Sequence, residues 1–395
     1  MDKNLIEVQP TTHPNGISSQ VAENGQPRQS LWISSNQELM IPDWDLTPWA
    51  MMLLPYAMRT DSTLRLHGSV DEVLLENLDR VQRVLNGWYP NRLSLIDVLP
   101  DSSHRSVPAT QSRAAFFSGG VDSFYTLSES SPPLDGILYV AGFDIPIDDP
   151  VRIERANRIL RVAARDFGAT AVEAASNVKS FTDERAKPGT RWVYEQHGAA
   201  MAAVAYSLNP NFSSVKVAST NAGEFVHPMG THPDLDHLWT SSAQTVEHDL
   251  SNTTRPEKVA AIMRFDVVRQ NLRVCAQNRD DLNCGQCEKC IRTKINLRLT
   301  GNDGTCATLD RLSILDVQRL ALSDKTNRNY AKENLKYLED YGIDDPELEK
   351  ALRFGIRRGW WIGLGVRVAN SIPGARKSYR AIKKSLGMKP RDFIS

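Results

Sequence analysis

Between Arg113 and Leu127 the chain reads RAAFFSGGVDSFYTL: a short apolar run, two glycines, an acid, then apolar residues at helical spacing. This is the pattern of a buried strand that turns through a glycine loop into a helix. The same rhythm continues. DGILYVAGF reads as a second strand, Val151–Phe167 as an amphipathic helix, ATAVEAAS as a third strand, Trp192–Leu208 as a helix rich in small residues, and SVKVAST as a fourth strand. Strands alternating with helices of that length imply βαβ units and an α/β, Rossmann-like parallel sheet. Such sheets bind ligands beyond the carboxyl ends of their strands. The glycine loop, GFDIPIDD and STNAGEFVHPMGTHPDLDHLW all follow expected strands, so they are expected to share one crevice.

A glycine-rich turn at a helix start ordinarily receives an anion. The phosphate loop of the Walker type has a lysine after its last glycine; here that position carries no cation. The donors must be backbone N–H groups, the hydroxyls of Ser118 and Ser123, and the positive end of the following helix. Gly119 and Gly120 permit unusual backbone angles and close approach. Asp122 would repel a phosphate unless a divalent cation bridges the two, so the loop implies Mg2+ as well as a nucleotide.

Four of the five cysteines crowd into CAQNRDDLNCGQCEKC, with Cys275, Cys284, Cys287 and Cys290 as the candidate ligands. Thiolates at these intervals can close a tetrahedron around Zn2+ and leave no open position, which marks a structural site. An iron–sulfur cluster is the alternative. Cys306 stands apart and is expected in a core.

The stretch SGGVDS, in its strand–loop–helix setting, resembles the PP-loop of the ATP pyrophosphatases, which cleave ATP to AMP and pyrophosphate. With the four-cysteine group following at its distance, the region Arg113–Leu299 is similar to the 7-cyano-7-deazaguanine synthase family. The resemblance implies ATP, Mg2+ and structural Zn2+. Phe117, Ser118, Gly119, Gly120, Val121 and Ser123 would hold pyrophosphate, Asp122 would hold the metal, and Gly142 and Phe143 would lie near adenine. Catalysis would fall to Asp122, Ser118 and Ser123. It implies adenylation of a 7-carboxy-7-deazaguanine-like acid and attack by ammonia to give an amide and then a nitrile. Two other outcomes stay open: conjugation of the adenylated acid to an amine of a partner protein or RNA, as in relatives from defence or natural-product clusters, and a non-catalytic nucleotide-binding scaffold. Where that family carries a Tyr-Pro-Asp-Cys-Arg run, this chain has THPDLDHLWTS, so Pro233 and Asp234 match and the cysteine and arginine do not.

Other candidates come from the residues alone. Thr220 and Asn221 follow the fourth strand, where an amide can read a base edge or serve a turn. His227, His232, Asp234, Asp236 and His237 share a loop whose spacing fits no standard metal site; contact with substrate or acid–base work is expected. Arg255 and Lys258 are expected to meet ATP phosphates or a substrate carboxylate. Glu195 and His197 are further candidates for the crevice, although a satisfied core histidine is the commoner outcome.

The rest of the chain divides by composition. Residues 1–30, polar and aperiodic, read as a disordered leader. Residues 31–105 read as a small α/β module, with strands at Ser62–Gly68 and Arg92–Leu99 and a helix capped by Ser69; residues 100–112 read as a linker. The PP-loop domain is expected over 113–300 and a helical, basic extension over 301–395. From Ala351 onward eleven Lys or Arg face one acid, and Trp360, Trp361 and Tyr379 interleave with them. Such a surface suits a nucleic acid, an anionic membrane or an acidic partner protein. The whole chain balances 47 basic against 47 acidic residues, so the part before Ala351 is net acidic. No apolar run is long enough for a membrane span, and the first residues lack the apolar centre of a signal peptide. A cytoplasmic protein is expected.

Overall fold

The computed structural model describes residues 4–13, 16–183, 188–220, 222–249, 252–275, 277, 282–320, 322 and 325–371. It divides into two units between Asn252 and Thr253. The first contains strands β1 (Asn4–His13), β2 (Gly16–Glu23), β3 (Gln26–Pro27) and β4 (Leu31–Ser35), then helix α1 (Thr47–Thr60), β5 (Ser62–Asp71), α2 (Glu72–Trp88) and β6 (Val98–His104). There follow β7 (Arg113–Phe116), α3 (Val121–Glu129), β8 (Gly136–Ala141), α4 (Pro150–Phe167), β9 (Thr170–Ser176) and α5 (Val178–Thr182). A π-helical turn (Trp192–Gln196) leads into α6 (His197–Ser207), and β10 (Ser214–Ala218), α7 (Pro233–Asp236) and β11 (Thr245–Asp249) complete the unit.

All eleven strands form one sheet, in the order β11-β10-β7-β8-β9-β4-β2-β1-β5-β6, with β3 beside β2. The block β11-β10-β7-β8-β9 is parallel throughout. Numbered within that block its order is 5-4-1-2-3, so the winding reverses between β7 and β10. Ligands of doubly wound sheets bind at that reversal. The expected rhythm of strands and helices thus appears as an α/β fold with a mostly parallel sheet.

Residues 4–23 are not a disordered leader. They form the β1–β2 hairpin, antiparallel from Ile6↔Glu23 to His13↔Gly16, with β1 also parallel to β5. The polar composition hid a period of two: Ile6, Val8 and Val21 are fully buried, and the neighbouring strands supply the rest of the core. Nor are residues 31–105 a separate module. β4 pairs antiparallel with β9, at Ile33↔Ser176, and joins both halves into a single sheet. The local boundaries shift too. Asp71, not Ser69, caps α2, accepting the N–H groups of Val73 and Leu74 at 3.0 and 3.1 Å. The strand expected at Arg92–Leu99 forms at Val98–His104 instead, pairing with β5, and so takes up the start of the expected linker.

β6 ends in a buried polar cluster. His104 Nε2 lies 3.4 Å from Asp45 Oδ2, His104 Nδ1 lies 3.1 Å from Ser69 Oγ, and Tyr206 donates to Asp45 at 2.8 Å. Burial disfavours the charged ring, but the hydrogen bond and charge of Asp45, with Asp71 and Glu72, outweigh it and raise the His104 pKa. A raised pKa stabilises the fold below the unfolded value of about 6.5, and that contribution fades as pH rises through the folded value. Urea melts of wild type and His104→Gln should therefore differ most at mildly acid pH and converge toward alkaline pH. A difference that widened with pH would contradict this.

The second unit holds α8 (Arg255–Ile262), α9 (Asp266–Asn271), α10 (Glu288–Leu299), α11 (Ile314–Arg319), α12 (Lys325–Asp340) and α13 (Pro346–Ser371). Ile291, Ile295 and Leu299 of α10 pack with Leu312, Leu348, Ala351 and Leu352. Arg298 binds Asp345 through two hydrogen bonds, at 2.6 and 2.9 Å. The expected boundary at residue 300 therefore falls inside a shared core. Cys306 is buried there, as expected. Trp360 and Trp361 are exposed, while the basic residues beyond 371 lie outside the described residues. Among the described residues no helix is long and apolar enough to cross a membrane.

Candidate functional site

β7 delivers the chain to the reversal point of the sheet. Phe117 prolongs the strand, its N–H donating to Leu138 at 2.7 Å, and its buried ring meets Phe124 edge-on at 4.8 Å. Gly119 then takes φ 75°, the left-handed region where a side chain is strained. Gly120 caps α3. Ser123 is buried, and its Oγ accepts the N–H groups of Ser118 and Gly120 at 3.3 and 3.1 Å. Its hydroxyl therefore holds the loop closed, whereas Ser118 stands exposed at the tip. Asp122 sits half-buried in the first turn of α3. Farther along α3, Thr126 donates to Asp249 of β11 at 2.5 Å.

One strand away, Gly142 turns at φ 94°, where a Cβ would meet the Ser176 carbonyl oxygen at 2.1 Å. Phe143 lies against Trp192 at 5.0 Å, and its carbonyl accepts Lys179 Nζ.

Beyond β10 lies a small open cleft lined by Ser219, Thr220, Val226, His227, Met229, Thr231, His232, Pro233 and His248. The structure thus gathers Thr220, His227 and His232 in one place. Asn221 lies outside the described residues. Asp234 is mostly exposed; its N–H donates to His232 Nδ1 at 3.0 Å. Asp236 is buried, accepting the His232 N–H at 3.1 Å and pairing with His248 Nδ1 at 2.7 Å. His237 Nδ1 donates to the Pro233 carbonyl at 2.9 Å. The end of α2 packs on the loop behind the cleft: Trp88 meets the His232 ring at 4.8 Å, and Tyr89, just after the helix, donates to the Pro228 carbonyl at 2.9 Å.

The loop carrying these histidines is pressed onto α6. A Cβ on Gly198 would meet the Gly230 carbonyl oxygen at 1.9 Å, and His197 Nε2 lies 3.2 Å from Thr231 Oγ1. Burial lowers the His197 pKa despite the charge of Asp236. Glu195 does not line the cleft. It is fully buried, bound by Arg92 at 2.6 Å and by Arg191 at 2.7 Å. Burial opposes its ionisation, but hydrogen bonds from Arg92 and Arg191 prevail and hold its pKa below the usual carboxylate range. It is a clamp between the loop after α2 and the π-helical turn. Glu195→Ala should cost about 2–3 kcal/mol, short of the value for fully buried pairs because the two arginines keep 25% and 31% of their side-chain exposure. Chemical denaturation measures this, and a loss under about 0.5 kcal/mol would deny the clamp.

In the second unit the four cysteine sulfurs converge, all within 4.8 Å of one another. Cys275 to Cys287 is 3.8 Å, Cys284 to Cys290 is 4.0 Å and Cys287 to Cys290 is 3.4 Å. A tetrahedral ion with Zn–S bonds of about 2.3 Å sets its sulfurs about 3.8 Å apart. An iron–sulfur cluster holds thiolates farther apart, because iron and sulfide stand between them. The group could therefore hold a single metal ion such as zinc. Cys287 caps α10 and Cys290 lies in its first turn, where the helix favours negative sulfur. The Cys287 hydrogen bond, burial and the charge of the other sulfurs drive the Cys290 thiol far above its ordinary range. Thiolates crowded like this coexist only around a cation. Arg255 and Lys258 belong to this unit and are buried, with the Arg255 N–H 3.3 Å from Glu333.

Compared with family models, curated proteins and solved structures, the chain finds no match.

Three functional-looking residues escaped the sequence reading. His248 sits on β11, a short strand in a polar stretch, and comes to the cleft through strand pairing. Asn283 accepts the N–H groups of Val274 and Cys275 at 2.8 and 3.1 Å and donates to Leu272 at 2.7 Å, tying the first cysteine loop to the second. Its place directly before Cys284 was the available signal. Trp88, the last residue of α2, packs against the His232 ring.

Proposed function

We propose that this chain is an ATP-dependent ligase of the PP-loop pyrophosphatase type. It adenylates a carboxylate, of the 7-carboxy-7-deazaguanine class, and passes the acyl group to ammonia to give an amide and then a nitrile. The observation that carries this reading is the placement of the SGGVDS loop, with Gly119 left-handed and Gly120 capping a helix, at the point where the parallel sheet reverses its winding.

The roles follow from the chemistry. Backbone amides of the loop, the Ser118 hydroxyl and the start of α3 receive pyrophosphate, and Ser123 keeps the loop in shape. Asp122 holds the Mg2+ that offsets the phosphate charge. Positioning and charge stabilisation supply most of the acceleration. Thr220, His227 and His232 contact the acid in the cleft. The metal held by the cysteines is structural, since four thiolates leave it no open position.

The test is the pattern of ATP cleavage. Incubation with Mg2+ and candidate carboxylates should give AMP and pyrophosphate only when an acid is present. ADP and orthophosphate, or no cleavage with any acid, would refute the proposal.

A further inference from the structure

We infer that His248, oriented by Asp236, is the general base that takes the proton from the attacking amine. The inference rests on the adenylation reading above.

The strand register puts His248 near the loop. Lys216 of β10 pairs with Ala115 of β7, so three residues on, Ser219 stands level with Ser118. Val217 pairs with His248 of β11. The cleft thus lies at the ends of β10 and β11, and two strand spacings, roughly 10 Å, separate β11 from β7, which carries the glycine loop. On this inference the acyl end of the adenylate enters the cleft that His248 lines.

Hydrogen bonds fix how each cleft histidine can act. A carboxylate only accepts, so His248 donates from Nδ1 to Asp236 Oδ2 at 2.7 Å, and its neutral ring keeps a lone pair on Nε2. His232 is the reverse: its Nδ1 accepts the Asp234 N–H at 3.0 Å, so its proton is on Nε2 and it is a donor. His227 donates from Nδ1 to the Phe225 carbonyl at 3.0 Å. His248 lines the cleft and has a buried anion behind its ring. Asp236 is itself fixed, since its other oxygen accepts the His232 backbone N–H at 3.1 Å. A carboxylate so placed selects the imidazole tautomer and stabilises the imidazolium that forms. Among the described residues, the four cysteines are the one group of three or more such side chains that converges closely enough to share an ion.

The step balances. The amine lone pair attacks the acyl carbon and the C–N bond forms. The bond from that carbon to the AMP oxygen breaks, and its electron pair leaves with AMP. One amine proton passes to His248 Nε2 and then to water. Asp236 is a positioning residue. The other titratable groups acting on the cleft are His227, His232 and Asp234.

Two rates separate the halves of the reaction. Exchange of labelled pyrophosphate into ATP reports adenylation, and amide formation with ammonia reports the second step. His248→Gln should leave exchange within about threefold of wild type and lower amide formation about 10²–10⁴-fold. Asp236→Asn, which loses the carboxylate that orients the ring, should also lower amide formation while leaving exchange within about threefold of wild type. Should His248→Gln prove insoluble, Asp236→Asn carries the test. Amide formation unchanged in either variant, or exchange and amide formation falling together, would overturn the assignment. Absence of exchange in wild type with any acid would instead remove the adenylation reading, and this inference with it.

Discussion

Cys290→Ser is expected to abolish metal binding by the four-cysteine group and loosen the helices around it. Cys290 is fully buried in the first turn of α10, within 3.4 Å of Cys287 and 4.0 Å of Cys284. A serine oxygen in place of one thiolate weakens zinc binding. The apparent binding energy of a structural zinc site, about 10–16 kcal/mol in small fingers, is also folding energy. Part of the unit has its own core, through Ile291, Ile295 and Leu352, so residual helix should survive. Metal analysis should fall from about one ion per chain to nearly none, and a thermal melt should lose cooperativity. Chelation of wild type should reproduce the melt. A variant that kept its metal and its melting temperature would show that three thiolates suffice.

Asp122→Ala is expected to abolish ATP cleavage and leave the fold in place. The residue is half-buried in the first turn of α3, where alanine is a good helix former, so the stability cost is small. On the proposed function its carboxylate would hold Mg2+ at the phosphates, and its loss would leave the developing negative charge of the transition state without that counter-ion. The rate of pyrophosphate release should fall at least about 10³-fold, the scale of one strong electrostatic contact at a reacting centre. Pyrophosphate release at the wild-type rate, with an unchanged melt, would end the metal role of Asp122.

Locally encoded features were readable in advance. β8, β9 and β10 appear where their apolar runs are, and α4 covers Pro150–Phe167 with Gly168 in the left-handed position after it. The glycine loop and the cysteine group were legible because each places unusual residue types within a few positions. The β1–β2 hairpin was not, since its strands bury only a few apolar side chains and depend on β4 and β5 for partners. Glu195 and His197 looked alike in sequence as candidates for the crevice. Two arginines, one of them 103 residues away, remove Glu195 from that role.

Sequence alone determined that a strand must turn through Ser118–Ser123 into a helix, because only glycine tolerates the backbone angles there, and that four thiols lie close enough along the chain to share one ion. It also determined the alternation of strand and helix that makes a parallel sheet. Tertiary structure alone decided the strand order, the antiparallel seam at β4 and β9, and the meeting of His248 with Asp236. These depend on hydrogen bonds between backbone segments far apart in the chain. Such pairing is chosen by the burial of the whole sheet, and no short stretch of residues contains it.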